Sequence, residues 1–109
     1  MKDDRLYLAH IRDSIAKIND YTKEGYEQFA DDAKTQDAVI RNFEIIGEAS
    51  KQISDATKSI KPDIPWRDVA GLRDVLIHDY MGVDINEVWN IILNHLPCLE
   101  KAVNDLLSK

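Results

Sequence analysis

The sequence predicts an all-α protein: an antiparallel four-helix bundle with a long, kinked C-terminal helix, paired as a dimer. Three observations lead there. Apolar residues recur at alternating three- and four-residue spacings in separate stretches. Residues that start and stop helices flank those stretches. No strand-like alternation, internal repeat or low-complexity tract interrupts them.

The first helix is expected over residues 4–21, where Leu8, Ile11, Ile15 and Ile18 form one buried stripe. Residues 23–34 break the pattern with Gly25 and Asp31-Asp32 and read as a connector, tucked against the bundle by Tyr26 and Phe29. The second helix takes Thr35 as N-cap, has Asp37 in its first turn, turns Val39, Phe43, Ile46 and Ile53 inward, and runs to about Ser54 or Ala56. Gly47 is a poor helix former among Ile45, Ile46 and Ala49, so it marks close approach of another backbone. Residues 58–64 read as a polar linker. Pro65 then suits the first turn of a third helix over residues 66–80, closed by Gly82. Asp84 with Glu87 resembles a capping box, with Val83 and Val88 as the staple, and opens a fourth helix. There Ile85, Trp89, Ile92, Leu96, Leu99, Val103 and Leu106 recur to the C-terminus, and Pro97 predicts a kink rather than two separate helices.

At 109 residues, with no Pro/Gly/Ser-rich divider, residues 1–109 read as one domain. Hydrophobic residues at 44% and charged residues at 31% exclude a disordered chain. A core this small gains stability from a second copy, which makes a homodimer the expected state. No apolar run is long enough to span a membrane, the N-terminal residues lack the apolar core of a signal peptide, and the single Cys98 forms no internal disulfide; the expected location is cytoplasmic. A net charge of −6 argues against nonspecific coating of DNA or RNA through phosphates. An enzyme that meets RNA only at a compact cleft is still allowed, because local charge governs that encounter.

The chemistry gathers in Arg73-Asp74-Val75-Leu76-Ile77-His78-Asp79-Tyr80. On a helix Arg73 and Tyr80 share a face two turns apart, and Asp74 and His78 form an i,i+4 pair beside them. Asp74 can accept a hydrogen bond from one imidazole nitrogen and leave the other for proton transfer. Arg73 can neutralise charge on phosphate oxygens, so the set suits phosphodiester cleavage with no metal or cofactor, the 2′-hydroxyl of RNA being the nucleophile. Arg73 and His78 nevertheless point roughly 140° apart on one helix, and two copies facing each other across a two-fold axis would repair this. On periodicity alone, an Arg, a His and a Tyr near a helix end are more often a salt bridge, a dipole partner and an interfacial aromatic than a catalytic set.

The wider pattern is more specific. Arg41-Asn42-Phe43-Glu44-Ile45-Ile46-Gly47-Glu48-Ala49, then Pro62-Asp63-Ile64-Pro65-Trp66-Arg67-Asp68-Val69-Ala70-Gly71-Leu72-Arg73, then His78-Asp79-Tyr80-Met81-Gly82-Val83-Asp84, Val88-Trp89 and Leu96-Pro97 closely resemble the HepT-like (DUF86) family, in the same order and spacing over roughly residues 37–97. The resemblance implies a dimeric HEPN four-helix bundle and a toxin ribonuclease whose Arg-x4-His-x-Tyr site is metal-independent. The motif then falls on Arg73, His78 and Tyr80. It also implies a neighbouring minimal nucleotidyltransferase antitoxin, MntA, that transfers AMP to the motif tyrosine. On Tyr80 this would place bulky negative phosphate beside Arg73 and His78. Asp74 either orients His78 or tempers activity by repelling RNA phosphate. Arg41 and Glu48, at i,i+7, belong to the resembling stretch and either line the cleft or form a buried pair, the second being the expectation.

Other candidates read as structural. His95 and Cys98 at i,i+3 supply too few ligands for zinc and are assigned to packing, His10 has no partners in the sequence, and Trp66 and Trp89 fall on apolar stripes as core or dimer contacts. The alternative functional reading is a noncatalytic HEPN module that binds a nucleotidyltransferase or a nucleotide through the same cleft; a structural dimer without a ligand is the third.

Overall fold

The computed structural model describes residues 4–72 and 84–109. Among them are seven helices and no strand: α1 Asp4–Tyr21, α2 Tyr26–Asp31, α3 Ala33–Lys51, α4 Asp55–Ile60, α5 Trp66–Ala70, α6 Ile85–Asn94 and α7 Leu96–Leu107. The all-helical expectation holds, and no described helix is long and apolar enough to cross a membrane.

The long helices form where their periodicity is strongest. α1 buries Leu8, Ile11, Ile15 and Ile18 and packs mainly on α3, which answers with Val39, Phe43 and Ile46; α7 adds Leu96, Leu99, Val103 and Leu106 against α1. These side chains are all but fully withdrawn from water. Each contributes on the order of 2 kcal/mol, which is why this stripe fixes the helix faces. Arg5 reaches the other end of the chain, its guanidinium donating to the carbonyls of Leu107 and Lys109 at 2.7 and 3.3 Å, where a cation is favoured by the helix dipole of α7.

The connectors depart from expectation. Residues 23–34 contain α2, which starts after Gly25 at φ 98° and buries Phe29 completely; a six-residue helix shows too few turns for a periodicity to register. Tyr26 and Phe29 do dock this segment, their rings lying 5.5 and 5.3 Å from that of Trp89, and the Tyr26 hydroxyl donates to Asn86 Oδ1 at 2.8 Å. The N-cap of α3 is Asp32, not Thr35. Its carboxylate accepts from the backbone of Lys34 and Thr35, and from the Thr35 hydroxyl at 2.9 Å, so Asp37 lies beyond the first turn. Both residues are capping types, and Thr35 ends up completing the cap that Asp32 begins.

α3 stops at Lys51, short of the expected Ser54 or Ala56, and the second unforeseen helix, α4, capped by Ser54, runs into the first residues of the expected linker. The reason lies fifty residues away. Buried Asp4 accepts from the Ser54 backbone at 3.0 Å, the Ser54 hydroxyl at 2.6 Å and the Thr57 hydroxyl, tying the start of α1 to the start of α4. Burial opposes the charged form of Asp4, but these hydrogen bonds outweigh it and hold the carboxyl far below its usual range.

Pro65 is the N-cap of α5 rather than its first residue. The buried indole of Trp66 donates to the carbonyls of Lys58 and Lys61, both at 3.1 Å, so α4 and α5 are fastened to each other. The third helix was expected unbroken over residues 66–80; α5 closes at Gly71, whose N–H donates to the carbonyls of Arg67 and Asp68, and the expected stretch from Arg73 on lies outside the described residues. Asp84 caps α6 as expected, accepting from the backbone of Asn86 and Glu87 at 2.9 and 3.3 Å, while its staple partner Val83 lies outside the described residues. The C-terminal segment is two helices rather than one kinked helix. They meet at His95 (φ −121°), with Pro97 in the first turn of α7, because proline has no N–H to continue the ladder from α6.

Candidate functional site

The predicted site residues Arg73, Asp74, His78 and Tyr80 lie outside the described residues, as does Gly82. What the structure describes is the frame on both sides of them. On the entry side, α5 leads through Gly71 to Leu72, and its position is set by α3. A Cβ placed on Gly47 would sit 3.2 Å from the carbonyl oxygens of both Val69 and Ala70. A side chain here would press on both carbonyls and push the two backbones apart by a few tenths of an ångström, which glycine avoids. The expectation of a close backbone approach at Gly47 is met, and its partner is the helix that delivers the chain to Arg73. On the exit side the capped start of α6 holds Asp84.

Two grooves flank this frame. One, of about 390 Å³, lies between α5, α6 and α7. Its floor is apolar, with Phe43, Ile64, Leu72 and Leu99, and its rim carries Asp68 and Glu87. His95 and Cys98 also open onto it. Both are exposed, so the packing role expected for them is not the one they have: in the first turn of α7 it is Leu96 and Leu99 that face the core, and His95 and Cys98 fall on the outer side.

The other groove, of about 600 Å³, runs between α1 and α3 and is lined by Tyr7, His10, Arg41, Glu44, Glu48 and Gln52. Here the expected buried Arg41–Glu48 pair is corrected. Both residues are exposed, Arg41 at 72% of its side chain; Arg41 lies 3.7 Å from Glu44, and Glu48 lies 3.2 Å from Lys51. They occupy the face of α3 opposite Phe43 and Ile46, where none of the described residues buries them. His10, isolated in the sequence, has Tyr7 beside it with ring centres 6.2 Å apart. Sequence reading set His10 aside and passed over Tyr7 and Gln52; the one signal for the first two was their i,i+3 spacing on the outer face of α1. Trp66 is a core residue as expected, and Trp89 is half-buried against Phe29.

Comparison with known proteins decides the family. A model described as "Ribonuclease HepT-like" matches residues 11–106, nearly the whole chain. The chain belongs to the HepT-like ribonuclease family. Among similar curated proteins, "Probable ribonuclease HepT" of Thermococcus cleftensis is 47% identical over 95 residues, covering 86% of each chain. A "Putative RNase" of Caldanaerobacter subterraneus is 38% identical over 110 residues, with 100% of this chain and 98% of the other covered. Another "Putative RNase", of Methanocaldococcus jannaschii, is 37% identical over 108 residues, covering 98% and 89%. No solved structure matches the chain. The HepT-like match takes in Gly47, the groove between α5, α6 and α7 and the whole Arg73–Tyr80 motif, so the frame and the motif belong to one family unit.

Proposed function

We propose that this HepT-like chain is the toxin of a toxin–antitoxin pair: a metal-independent endoribonuclease acting as a homodimer of HEPN bundles, with Arg73 and His78 of both copies at the shared cleft. The observation that carries the reading is the family match over residues 11–106 together with an unbroken Arg-x4-His-x-Tyr motif at Arg73, His78 and Tyr80. The tight α3–α5 crossing at Gly47 supports it, because a catalytic segment needs a rigid approach.

In the proposed reaction the His78 imidazole of one copy takes the proton of the RNA 2′-hydroxyl as its oxygen attacks phosphorus. The phosphorus–O5′ bond breaks, and protonated His78 of the second copy gives a proton to the departing oxygen. The Arg73 guanidinium holds the phosphate oxygens as charge builds on them. The products are a 2′,3′-cyclic phosphate and a 5′-hydroxyl, with no metal required. Silencing follows when a minimal nucleotidyltransferase of the MntA type transfers AMP to the Tyr80 hydroxyl from ATP, releasing pyrophosphate. The new phosphate charge then competes with RNA for Arg73 and His78.

Cleavage of total RNA in the presence of EDTA tests the reading. Arg73→Ala and His78→Ala are each expected to lower the rate on the order of a thousandfold. Unchanged cleavage in either variant, or loss of wild-type cleavage with EDTA, overturns it. A wild-type chain that binds the nucleotidyltransferase but cuts no RNA would favour the noncatalytic module instead. Asp74→Asn separates the two roles of Asp74: slower cleavage means it orients His78, faster cleavage means it tempers the site.

A further inference from the structure

The groove between α5, α6 and α7 touches both sides of the frame around the motif. Leu72, on its floor, is the last described residue before Arg73, and Glu87, on its rim, follows three residues after the Asp84 cap. An occupant of this groove therefore meets the entry and the exit of the catalytic segment at once.

The acids that line the groove are unanswered. Asp63 and Asp68 stand on the α5 side and Glu87 on the α6 side, and no described lysine or arginine joins them; the basic group on the lining is the imidazole of His95. All three carboxylates are exposed and have no ion pair among the described residues. Such a rim repels RNA phosphate, although the groove adjoins the segment proposed to cut RNA. Its charge fits a cationic occupant instead of the substrate strand.

Between the acids the surface is apolar. Ile64 and Leu72 are half-buried and Pro65 is exposed, above buried Phe43 and Leu99. The volume of about 390 Å³ is at the small end of the range for ligand sites, ~300–1,000 Å³, so the groove seats a few side chains rather than a folded domain. An occupant has to bring apolar groups to the floor and cations to both walls. A small apolar molecule leaves the carboxylates unmatched, whereas a peptide carries both kinds of group in one chain.

We propose that this groove docks a segment of a partner protein in which large apolar side chains are flanked by lysine or arginine. Ile64, Pro65 and Leu72 receive the apolar side chains, and Asp63, Asp68 and Glu87 receive the cations. The docking stands apart from the ribonuclease reading, because it is measured without RNA cleavage.

Fluorescence anisotropy on the full chain tests it, with a labelled Lys-Lys-Leu-Ile-Leu-Lys-Lys peptide compared with one that has serine at its centre and one that has glutamate flanks. The first is expected to bind at about 100 µM or tighter, and the other two at least about tenfold more weakly. Asp68→Lys/Glu87→Lys should weaken the first peptide by about tenfold or more and improve the glutamate-flanked one. Asp13→Lys/Asp20→Lys makes the same change of charge at exposed positions of α1 and should move binding by no more than about threefold. Equal loss in the two double variants, or equal binding of the serine-centred peptide, means general attraction to an acidic surface and overturns the proposal. So does the absence of binding at about 1 mM. If Asp68→Lys/Glu87→Lys unfolds the chain by circular dichroism, Cys98 supplies the second measurement in the wild type. It is the single cysteine, exposed and on the lining of this groove, so saturating peptide should slow its alkylation by iodoacetamide by about fivefold or more. Unslowed alkylation overturns the seat, and slowing by a single-stranded RNA in place of the peptide overturns it in favour of a substrate path.

Discussion

The Asp4 cluster and the Arg41–Glu48 stripe are built from the same kinds of group and hold them in opposite ways. Asp4 is 5% exposed and receives hydrogen bonds from Ser54 and Thr57. Arg41 and Glu48 stand in solvent with long or exposed ion pairs. A buried carboxylate is tolerated only when its hydrogen-bonding capacity is met, so the first cluster is architecture. Surface pairs of the second kind contribute little to folding, which leaves them free to meet another surface. Charge inside marks what the fold needs; charge outside marks what a partner can use.

Substitutions can break that contrast, and Asp4→Ala should have the largest effect on stability. It leaves the half-buried Ser54 and Thr57 donors without their acceptor and should cost about 2 kcal/mol in urea unfolding. The pH dependence has a definite sign. The folded Asp4 carboxyl titrates below its unfolded value of about 3.9, so its contribution is whole above about pH 4 and is lost as the pH falls further. Wild type and Asp4→Ala should therefore converge in stability as acid is added, and parallel curves down to low pH would remove Asp4 from the architecture.

The next effect is at the α3–α5 crossing. Gly47→Val places branched carbon against the Val69 and Ala70 carbonyls and should destabilise by about 2 kcal/mol, with cleavage falling further than the unfolded fraction explains. Equal loss of stability and activity would mean that the crossing holds the fold without positioning the motif. Asp84→Ala removes a cap from α6 and should cost about 1 kcal/mol. Arg41→Ala is the smallest: thermal unfolding of the dilute chain should move by no more than about 0.5 kcal/mol. A larger change would show that the stripe serves the fold after all.

Much of the long-helix framework was legible from periodicity. α1 runs over the residues its stripe predicted, the inward residues of α3 are buried as read, Asp84 caps α6, and Gly47 meets another backbone. These features follow from local rules: a stripe must be covered, and a glycine amid a helix needs a reason. The short helices were not legible. α2 and α4 depend on Phe29 finding Trp89 and on Ser54 and Thr57 finding Asp4, contacts between residues about fifty to sixty positions apart. Thr35 and Asp32 illustrate the same limit at short range, since both can cap and only packing chooses.

The sequence by itself determined the helical class, the faces of the long helices and the family motif at Arg73, His78 and Tyr80, because spacing and residue type act through local geometry. Only the tertiary structure decided that α3 ends at Lys51 and that Arg41 and Glu48 face water rather than each other. Those outcomes turn on which distant groups satisfy a buried charge or cover an apolar face, and such pairings exist only once the chain has closed on itself.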